Sequence, residues 1–178
     1  MELEKLRRVV TGHDAEGKSI VIIDGPPGSF VGSGAAGLGQ VWVTEDAPAD
    51  NSGSRDAADR PMRLEPSARG TSVLFFMLAP EDKSVTREQL EEQQAATFKA
   101  LDAEHCRPDT SRHPGMHRTR TVDYVILLEG DVTLILEKQE IRLRPFDVVV
   151  QRGTNHAWKN NGGKPALLMG VLIDAKPL

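Results

Sequence analysis

The feature that most constrains the fold is the C-terminal third of the chain, where short apolar segments alternate with tight turns. Residues 132–137 and 166–173 are apolar segments of strand length, and turn sequences such as EGD, PFD and NGG separate the segments of this region. Many short strands with turns at near-even spacing are typical of an antiparallel sandwich or a small closed barrel. The pattern therefore predicts a mainly β protein.

The N-terminal part, residues 1–112, is predicted to pack extra strands, a long loop and one helix against the barrel strands of residues 113–174, within one domain. Three apolar segments predict strands: residues 18–23, 40–44 and 71–78. Thr86 is followed three residues later by Gln89, which is typical of a capping box. This start signal and the pattern after it predict a helix over about 86–102.

Two stretches of the N-terminal part are predicted to be loops. Residues 28–39 are rich in glycine but lack the GxxxxGK[ST] pattern of a phosphate-binding loop, so we interpret them as a flexible loop. Residues 45–71 are rich in Asp, Ala, Pro, Ser and Arg and show no periodicity. We predict a long, partly disordered surface loop there.

Charge and hydropathy exclude several classes of partner. The net charge is −4 and no basic stripe is present, which argues against nucleic-acid binding. No apolar run approaches the length of a membrane span, and the N-terminus lacks the pattern of a secretory signal. The single cysteine, Cys106, excludes an intramolecular disulfide and is consistent with a reducing compartment. We expect a cytoplasmic protein that binds neither nucleic acid nor membrane.

Two histidines and an aspartate in the β region form the predicted metal and catalytic site. His117 and Asp123 are six residues apart, and an even spacing places both side chains on one face of a straight strand. His156 would approach from the opposite part of a barrel. Neutral imidazole and carboxylate groups are ligands for Fe²⁺, Mn²⁺, Zn²⁺ and Ni²⁺. Three protein ligands leave positions open for water or substrate, as a catalytic site requires.

Five further side chains of this region are predicted to line the substrate cavity: Thr119, Thr121, Leu127, Gln151 and Trp158. Arg118 and Arg120 alternate out of phase with His117, so we expect them to face solvent, the other sheet or a subunit contact. The residues of the predicted metal site could alternatively have purely structural roles. The histidines also suit hydrogen-bonded core positions, and Asp123 also suits a buried carboxylate paired with an arginine.

The first of these segments resembles the first sequence motif of the cupin superfamily, G(X)5HxH(X)3–4E(X)6G. His117 takes the first histidine position and Gly130 the final glycine position. Asp123 takes the glutamate position, and Thr119 stands where the second histidine is usual. Thr119 is a poor ligand for a divalent metal beside imidazole, so this motif is matched only in part.

The second segment resembles the second cupin motif, G(X)5PxG(X)2H(X)3N, and matches it better. Gly153, His156 and Asn160 occupy their motif positions. Phe146 and Gln151 stand where glycine and proline are usual. The chain is thus similar to a small single-domain cupin of the type-2 kind over roughly residues 113–174.

This resemblance implies a jelly-roll β-barrel, also described as a double-stranded β-helix, and a divalent metal: Fe, Mn, Zn or Ni. It implies a metal-dependent enzyme that acts on an organic acid, an enol or an aromatic, polyketide-like metabolite. Lyase or isomerase chemistry, such as dehydration or decarboxylation, is expected, or else dioxygenase chemistry. Two different functions are also compatible with the resemblance: a metal-free barrel that binds a small molecule without catalysis, and an epimerase-like His–Asp site. Cupins commonly dimerise, so a homodimer is expected.

Overall fold

A computed structural model describes residues 2–177. A short 3₁₀ turn at Leu3–Lys5 precedes the first strand, and another at Glu104–Cys106 follows the helix. The strands and the helix, in chain order, are β1 (Arg8–His13), β2 (Ser19–Gly25), β3 (Ser29–Ser33), β4 (Ala36–Thr44), β5 (Thr71–Leu78), α1 (Arg87–Ala100), β6 (Thr121–Glu129), β7 (Val132–Leu136), β8 (Glu140–Leu143), β9 (Val148–Arg152), β10 (His156–Asn160) and β11 (Ala166–Asp174).

The strands form two principal antiparallel sheets and one hairpin. The larger sheet has six strands in the order β3-β4-β5-β11-β6-β9, and the smaller has three in the order β10-β7-β8. Strands β1 and β2 pair as a separate ribbon. Strands distant in sequence thus become neighbours, because β11 lies between β5 and β6. The predicted mainly β, jelly-roll fold with one helix is confirmed.

One half of the large sheet is covered by the small sheet. The apolar side chains between the two sheets come from four strands: Val125 and Leu127 on β6, Val132 and Leu134 on β7, Leu143 on β8, and Ala166 and Leu168 on β11. Burial of these side chains is the main source of stability for the barrel, since each buried aliphatic side chain contributes roughly 1.5–3 kcal/mol.

The other half of the same sheet face is covered by α1 and by the segment before β5. Phe98 and Leu101 from the helix region pack with Met62 and Leu64, and against Leu172 on β11. The helix matches its predicted position closely, and Thr86 and Gln89 form both hydrogen bonds of a capping box. The predicted loop over 45–71 does lack helix and strand up to residue 70, but it is packed against the core.

A buried arginine near the N-terminus also anchors this long loop. Arg8 forms an ion pair with Asp56 and donates hydrogen bonds to the carbonyls of Pro26 and Val41. Its guanidinium group therefore joins β1 to the turn before β3, to β4 and to the loop. A buried charge is tolerated only when its donors are satisfied in this way.

The prediction of a flexible loop at residues 28–39 was wrong, because this stretch forms the β3–β4 hairpin. Its glycines permit the close approach of the two strands. A Cβ atom at Gly32 would lie 2.6 Å from the Ala36 carbonyl oxygen, and one at Gly37 would overlap the Val31 carbonyl oxygen. Glycine richness here reflects strand packing and positive φ angles.

The opposite face of the large sheet is covered by the N-terminal segment, where Leu3 packs against Met77 and Leu167.

Within residues 2–177, no helix has the length and apolar character needed to cross a membrane.

The final glycine of the first motif has a clear physical role, which predicts a large effect on stability. Gly130 has a φ of 112°, and a Cβ atom there would lie 2.5 Å from Cβ of Ala166. We expect Gly130→Ala to lower the free energy of unfolding by roughly 2–4 kcal/mol in urea denaturation. Gly163→Ala is the control, since its Cβ would meet nothing within 4 Å. Equal, small effects of the two variants would contradict this role of Gly130.

The turn between β8 and β9 predicts a stabilising substitution at the motif position where glycine is usual. Pro145 and Phe146 are the central residues of a turn closed by a 2.9 Å hydrogen bond from the Asp147 amide to the Arg144 carbonyl. Phe146 has a φ of 73° and is 77% exposed. Glycine avoids the cost of this conformation, so Phe146→Gly should raise the free energy of unfolding by roughly 0.5–1 kcal/mol. Phe146→Ala is the control: it keeps Cβ and should not raise the free energy of unfolding. If Phe146→Gly lowered the free energy of unfolding instead, the Phe146 ring would have to be packed against the protein.

Candidate functional site

A backbone bridge joins the two histidines of the predicted metal site. The amide of His117 donates to the carbonyl of His156, and the amide of His156 donates to the carbonyl of His117, both at 2.9 Å. This isolated antiparallel bridge joins the first residue of β10, His156, to the segment that precedes β6. The two imidazole rings consequently lie side by side, with centroids 4.2 Å apart and planes tilted by 47°.

Each imidazole is held in one tautomer by a backbone carbonyl. Nδ1 of His117 lies 2.9 Å from the Gly115 carbonyl oxygen, and Nδ1 of His156 lies 2.9 Å from the Thr154 carbonyl oxygen. A carbonyl oxygen only accepts, so Nδ1 carries the proton in both rings and Nε2 keeps its lone pair. A carbonyl bonded to the other ring nitrogen is the usual support of a metal-ligating histidine.

Burial keeps both rings neutral. It lowers the pKa of His117 to about 4, and it lowers the pKa of His156 well below the usual value, with a further contribution from the neighbouring His117. His156 is only 3% exposed. Neutral imidazole is the form that binds a metal, so no proton has to be displaced from these rings near neutral pH.

Aromatic side chains surround the histidine pair. The Phe98 ring of α1 lies 4.9 Å from the His117 ring, and the Trp158 ring lies 5.5 Å from the His156 ring in an edge-on arrangement. Phe98 belongs to the core under the helix, whereas Trp158 packs on the core between the sheets. The pair therefore lies at the boundary of the two layers that cover the large sheet, in surroundings of low polarity.

Asp123, the third predicted ligand, does not form one close cluster with the two histidines. The ligand atoms of His117, Asp123 and His156 do not all come within 4.8 Å of one another. Asp123 is 4% exposed and lies between Gln151 on β9 and Leu172 on β11. Its Oδ1 atom has no hydrogen-bond partner among the residues described. Burial raises the pKa of Asp123 to about 6.

The predicted substrate-binding residues are divided between a cleft and the core. The hydroxyl oxygens of Thr119 and Thr121 lie 2.6 Å apart, and both residues line an open cleft. Trp158 adjoins His156. Gln151 is buried, and its side-chain amide nitrogen donates to the Thr154 carbonyl at 3.1 Å. Leu127 is fully buried between the sheets.

The cleft has a volume of about 490 Å³. Arg118 and Arg120 are exposed, as the alternation predicted, and both line the cleft. Its complete lining is Glu65, His105, Pro108, Arg118, Thr119, Arg120, Thr121, Val122, Arg152, Gly153, Ala175, Lys176 and Pro177.

Beside this cleft, Glu65, His105 and Cys106 form a cluster that the sequence did not reveal. It is the one group of three potential metal ligands found within residues 2–177 whose ligand atoms all lie within 4.8 Å of one another. Glu65 Oε2 lies 2.8 Å from His105 Nε2, and Glu65 Oε1 accepts from the Arg120 amide at 2.6 Å. Glu65 belongs to an irregular loop, so no spacing pattern links it to residues forty positions further on.

Cys106 is only 1% exposed and forms part of the core under α1. Burial, followed by the charge of Glu65, raises the pKa of the Cys106 thiol to about 12. The thiol is therefore protonated at neutral pH, and a metal would have to displace this proton in order to bind.

Comparison with known proteins identifies the family. The chain is 30% identical over 178 residues to cupin-domain-containing oxidoreductase srdB of Neurospora crassa, covering 96% of this chain and 74% of that protein. It is 29% identical over 186 residues to phomopsin biosynthesis cluster protein C' of Diaporthe leptostromiformis, covering 99% and 82%. The chain belongs to the cupin superfamily, which confirms the resemblance seen in its motifs.

Solved structures resemble the chain only distantly. A cupin superfamily protein from Desulfitobacterium hafniense of solved structure is 14% identical, with a TM-score of 0.39, over 64% of this chain and 74% of that chain. No family model matches the sequence.

The buried state of Cys106 predicts slow thiol chemistry. We expect the native thiol to react with 5,5′-dithiobis(2-nitrobenzoate) at least about 100-fold more slowly than the thiol of the urea-unfolded chain, because native Cys106 is both inaccessible and protonated. The unfolded chain is the control for reagent and pH. Rapid native labelling would show that the turn at Glu104–Cys106 opens readily.

Proposed function

We propose that this cupin is an enzyme of the oxidoreductase type that acts on a small organic molecule, with a divalent metal held by His117 and His156. The observation that carries the proposal is the pair of neutral imidazoles, each with Nδ1 bonded to a carbonyl and Nε2 free. The names of the relatives support the reaction type, since srdB is a cupin-domain-containing oxidoreductase. The name of the second relative, a biosynthesis cluster protein, supports a small metabolite as substrate.

The donor set fits a metal in part. Two imidazoles and one carboxylate form the set that non-haem iron enzymes use, and Asp123 is a buried carboxylate with an unpartnered oxygen. The ligand atoms of the three residues do not all lie within 4.8 Å of one another, so the Asp123 carboxylate would have to come closer to the imidazoles to become the third ligand. Bound Fe²⁺ would supply dioxygenase-type redox chemistry, whereas Zn²⁺, Mn²⁺ or Ni²⁺ would supply Lewis acidity for dehydration, decarboxylation or isomerisation. The relatives favour the redox chemistry.

The residues of the chain perform the remaining tasks. Phe98 and Trp158 exclude water from the two imidazoles and raise the strength of electrostatic interactions there. The carbonyls of Gly115 and Thr154 orient the rings. The cleft lined by Thr119 adjoins the segment that follows His117, and an organic acid, an enol or an aromatic, polyketide-like metabolite is of suitable size for it.

A second candidate function is a metal-free barrel that binds a small molecule without catalysis. Two observations favour this function. Thr119 stands at the second histidine position of the motif, where its hydroxyl is engaged by Thr121. Asp123 does not join the two histidines. In this case the aromatic rings around His156 would form an apolar binding surface.

Metal content distinguishes the two functions. We expect plasma mass spectrometry of the untagged protein to find close to one divalent metal per chain, lost in both His117→Ala and His156→Ala, because each variant removes one of only two imidazole ligands. His13→Ala is the matched control, since His13 is exposed at the end of β1. Circular dichroism of each variant tests that the fold is retained.

His105→Ala separates this site from the cluster at the cleft. Metal retained in His105→Ala but lost in the other two variants supports the histidine pair. Metal lost only in His105→Ala would indicate that Glu65, His105 and Cys106 bind the metal instead. No metal in any sample, even after reconstitution with Fe²⁺, Mn²⁺, Zn²⁺ or Ni²⁺, would overturn the metalloenzyme and favour the binding barrel.

A further inference from the structure

The cleft carries the opposite sign of charge to the chain as a whole. The sequence has 26 acidic and 22 basic residues. Among the residues that the structure describes, Glu65 is the one carboxylate in the lining of the cleft. The cationic lining residues are Arg118, Arg120, Arg152 and Lys176. A concave surface with one dominant sign of charge concentrates ligands of the opposite sign.

These cationic side chains have no direct partner in the described part of the protein, although the charge of Arg120 acts on Glu65. Across residues 2–177, none of the four side chains forms an ion pair or donates a hydrogen bond to another residue, although ion pairs such as Arg142–Asp131 and Arg8–Asp56 are present elsewhere. Glu65 cannot serve them fully, since its two oxygens already accept from the Arg120 amide and contact His105. The cleft therefore keeps a surplus of positive charge.

The remaining lining suits a small organic body attached to an anionic group. The neighbouring hydroxyls of Thr119 and Thr121 offer polar contacts, and Pro108, Val122 and Pro177 offer apolar ones. The volume of about 490 Å³ is within the range of small-molecule sites. Guanidinium groups bind carboxylates through two parallel hydrogen bonds, which makes arginine well suited to recognise an organic acid.

Residues that line the cleft are also near the two histidines in the sequence. Thr119 lies two residues after His117, a distance of at most about 7 Å between Cα atoms. Gly153, on the other side of the cleft, lies three residues before His156. An anion held by the arginines would thus be bound next to the segments that position both histidines.

We propose that this cleft binds the carboxylate of a small organic acid through Arg118, Arg120 and Arg152. Its role as the substrate subsite rests on the proposed function, and it narrows the substrate class from small metabolites in general to organic acids. The binding of the carboxylate itself does not depend on a metal. It can therefore be measured on protein treated with a chelator, so that failure here and failure of the metal site are distinguished.

The test is isothermal titration calorimetry with benzoate, with benzamide as its neutral isostere, and with inorganic phosphate. We expect benzoate to bind at low ionic strength, benzamide to bind at least about tenfold more weakly, and benzoate affinity to fall as salt is raised. Arg120→Gln and Arg152→Gln should each lower benzoate affinity by roughly fivefold, a loss typical of an exposed charge contact. Arg55→Gln is the matched control, because exposed Arg55 lies outside the cleft and should leave affinity unchanged.

Three results would overturn the proposal. The first is equal affinity for benzoate and benzamide, which would make the charge irrelevant. The second is a loss of affinity in Arg55→Gln as large as in the two cleft variants, which would indicate a general effect of net charge. The third is the absence of benzoate binding at millimolar concentration; if phosphate alone bound, the cleft would recognise phosphate rather than a carboxylate.

Discussion

The mutual backbone hydrogen bonds between His117 and His156 are the interaction on which the candidate site depends. They fix two segments that are distant in sequence at one register, which leaves their side chains on the same side of the bridge. The two carbonyls that bond Nδ1 then set the ring orientations without any further side chain. Loss of this bridge would separate the imidazoles even if every residue of the site were unchanged.

The division of one sheet face between two covering layers explains where this bridge lies. The small sheet covers one half of the large sheet, and α1 with the preceding loop covers the other. Phe98 contacts the histidine pair from the helix side, and Trp158 contacts it from the sheet side. Such a boundary is a natural place for polar groups, because neither core has to close completely around them.

Polar residues on the same sheet face extend away from this boundary. Asp123 lies opposite Gln151, yet the amide of Gln151 bonds to Thr154, so one oxygen of Asp123 is left without a partner. A buried carboxylate oxygen without a protein partner is costly, and a bound water or ion commonly satisfies such a group. Thr119 and Thr121, on the same segment of chain, line the cationic cleft.

The sequence by itself determined the β architecture, the helix and the superfamily, and it singled out the two histidines whose rings the structure places side by side. These follow from local signals: alternation, turn residues, the capping box at Thr86 and motif spacing. The hairpin at residues 28–39 was missed because glycine signals either a loop or close strand packing. Tertiary structure alone decided that Asp123 does not cluster closely with the histidines and that Glu65 joins the cleft. Such contacts depend on strand register and on the path of an irregular loop, and no periodic pattern in the chain records either of them.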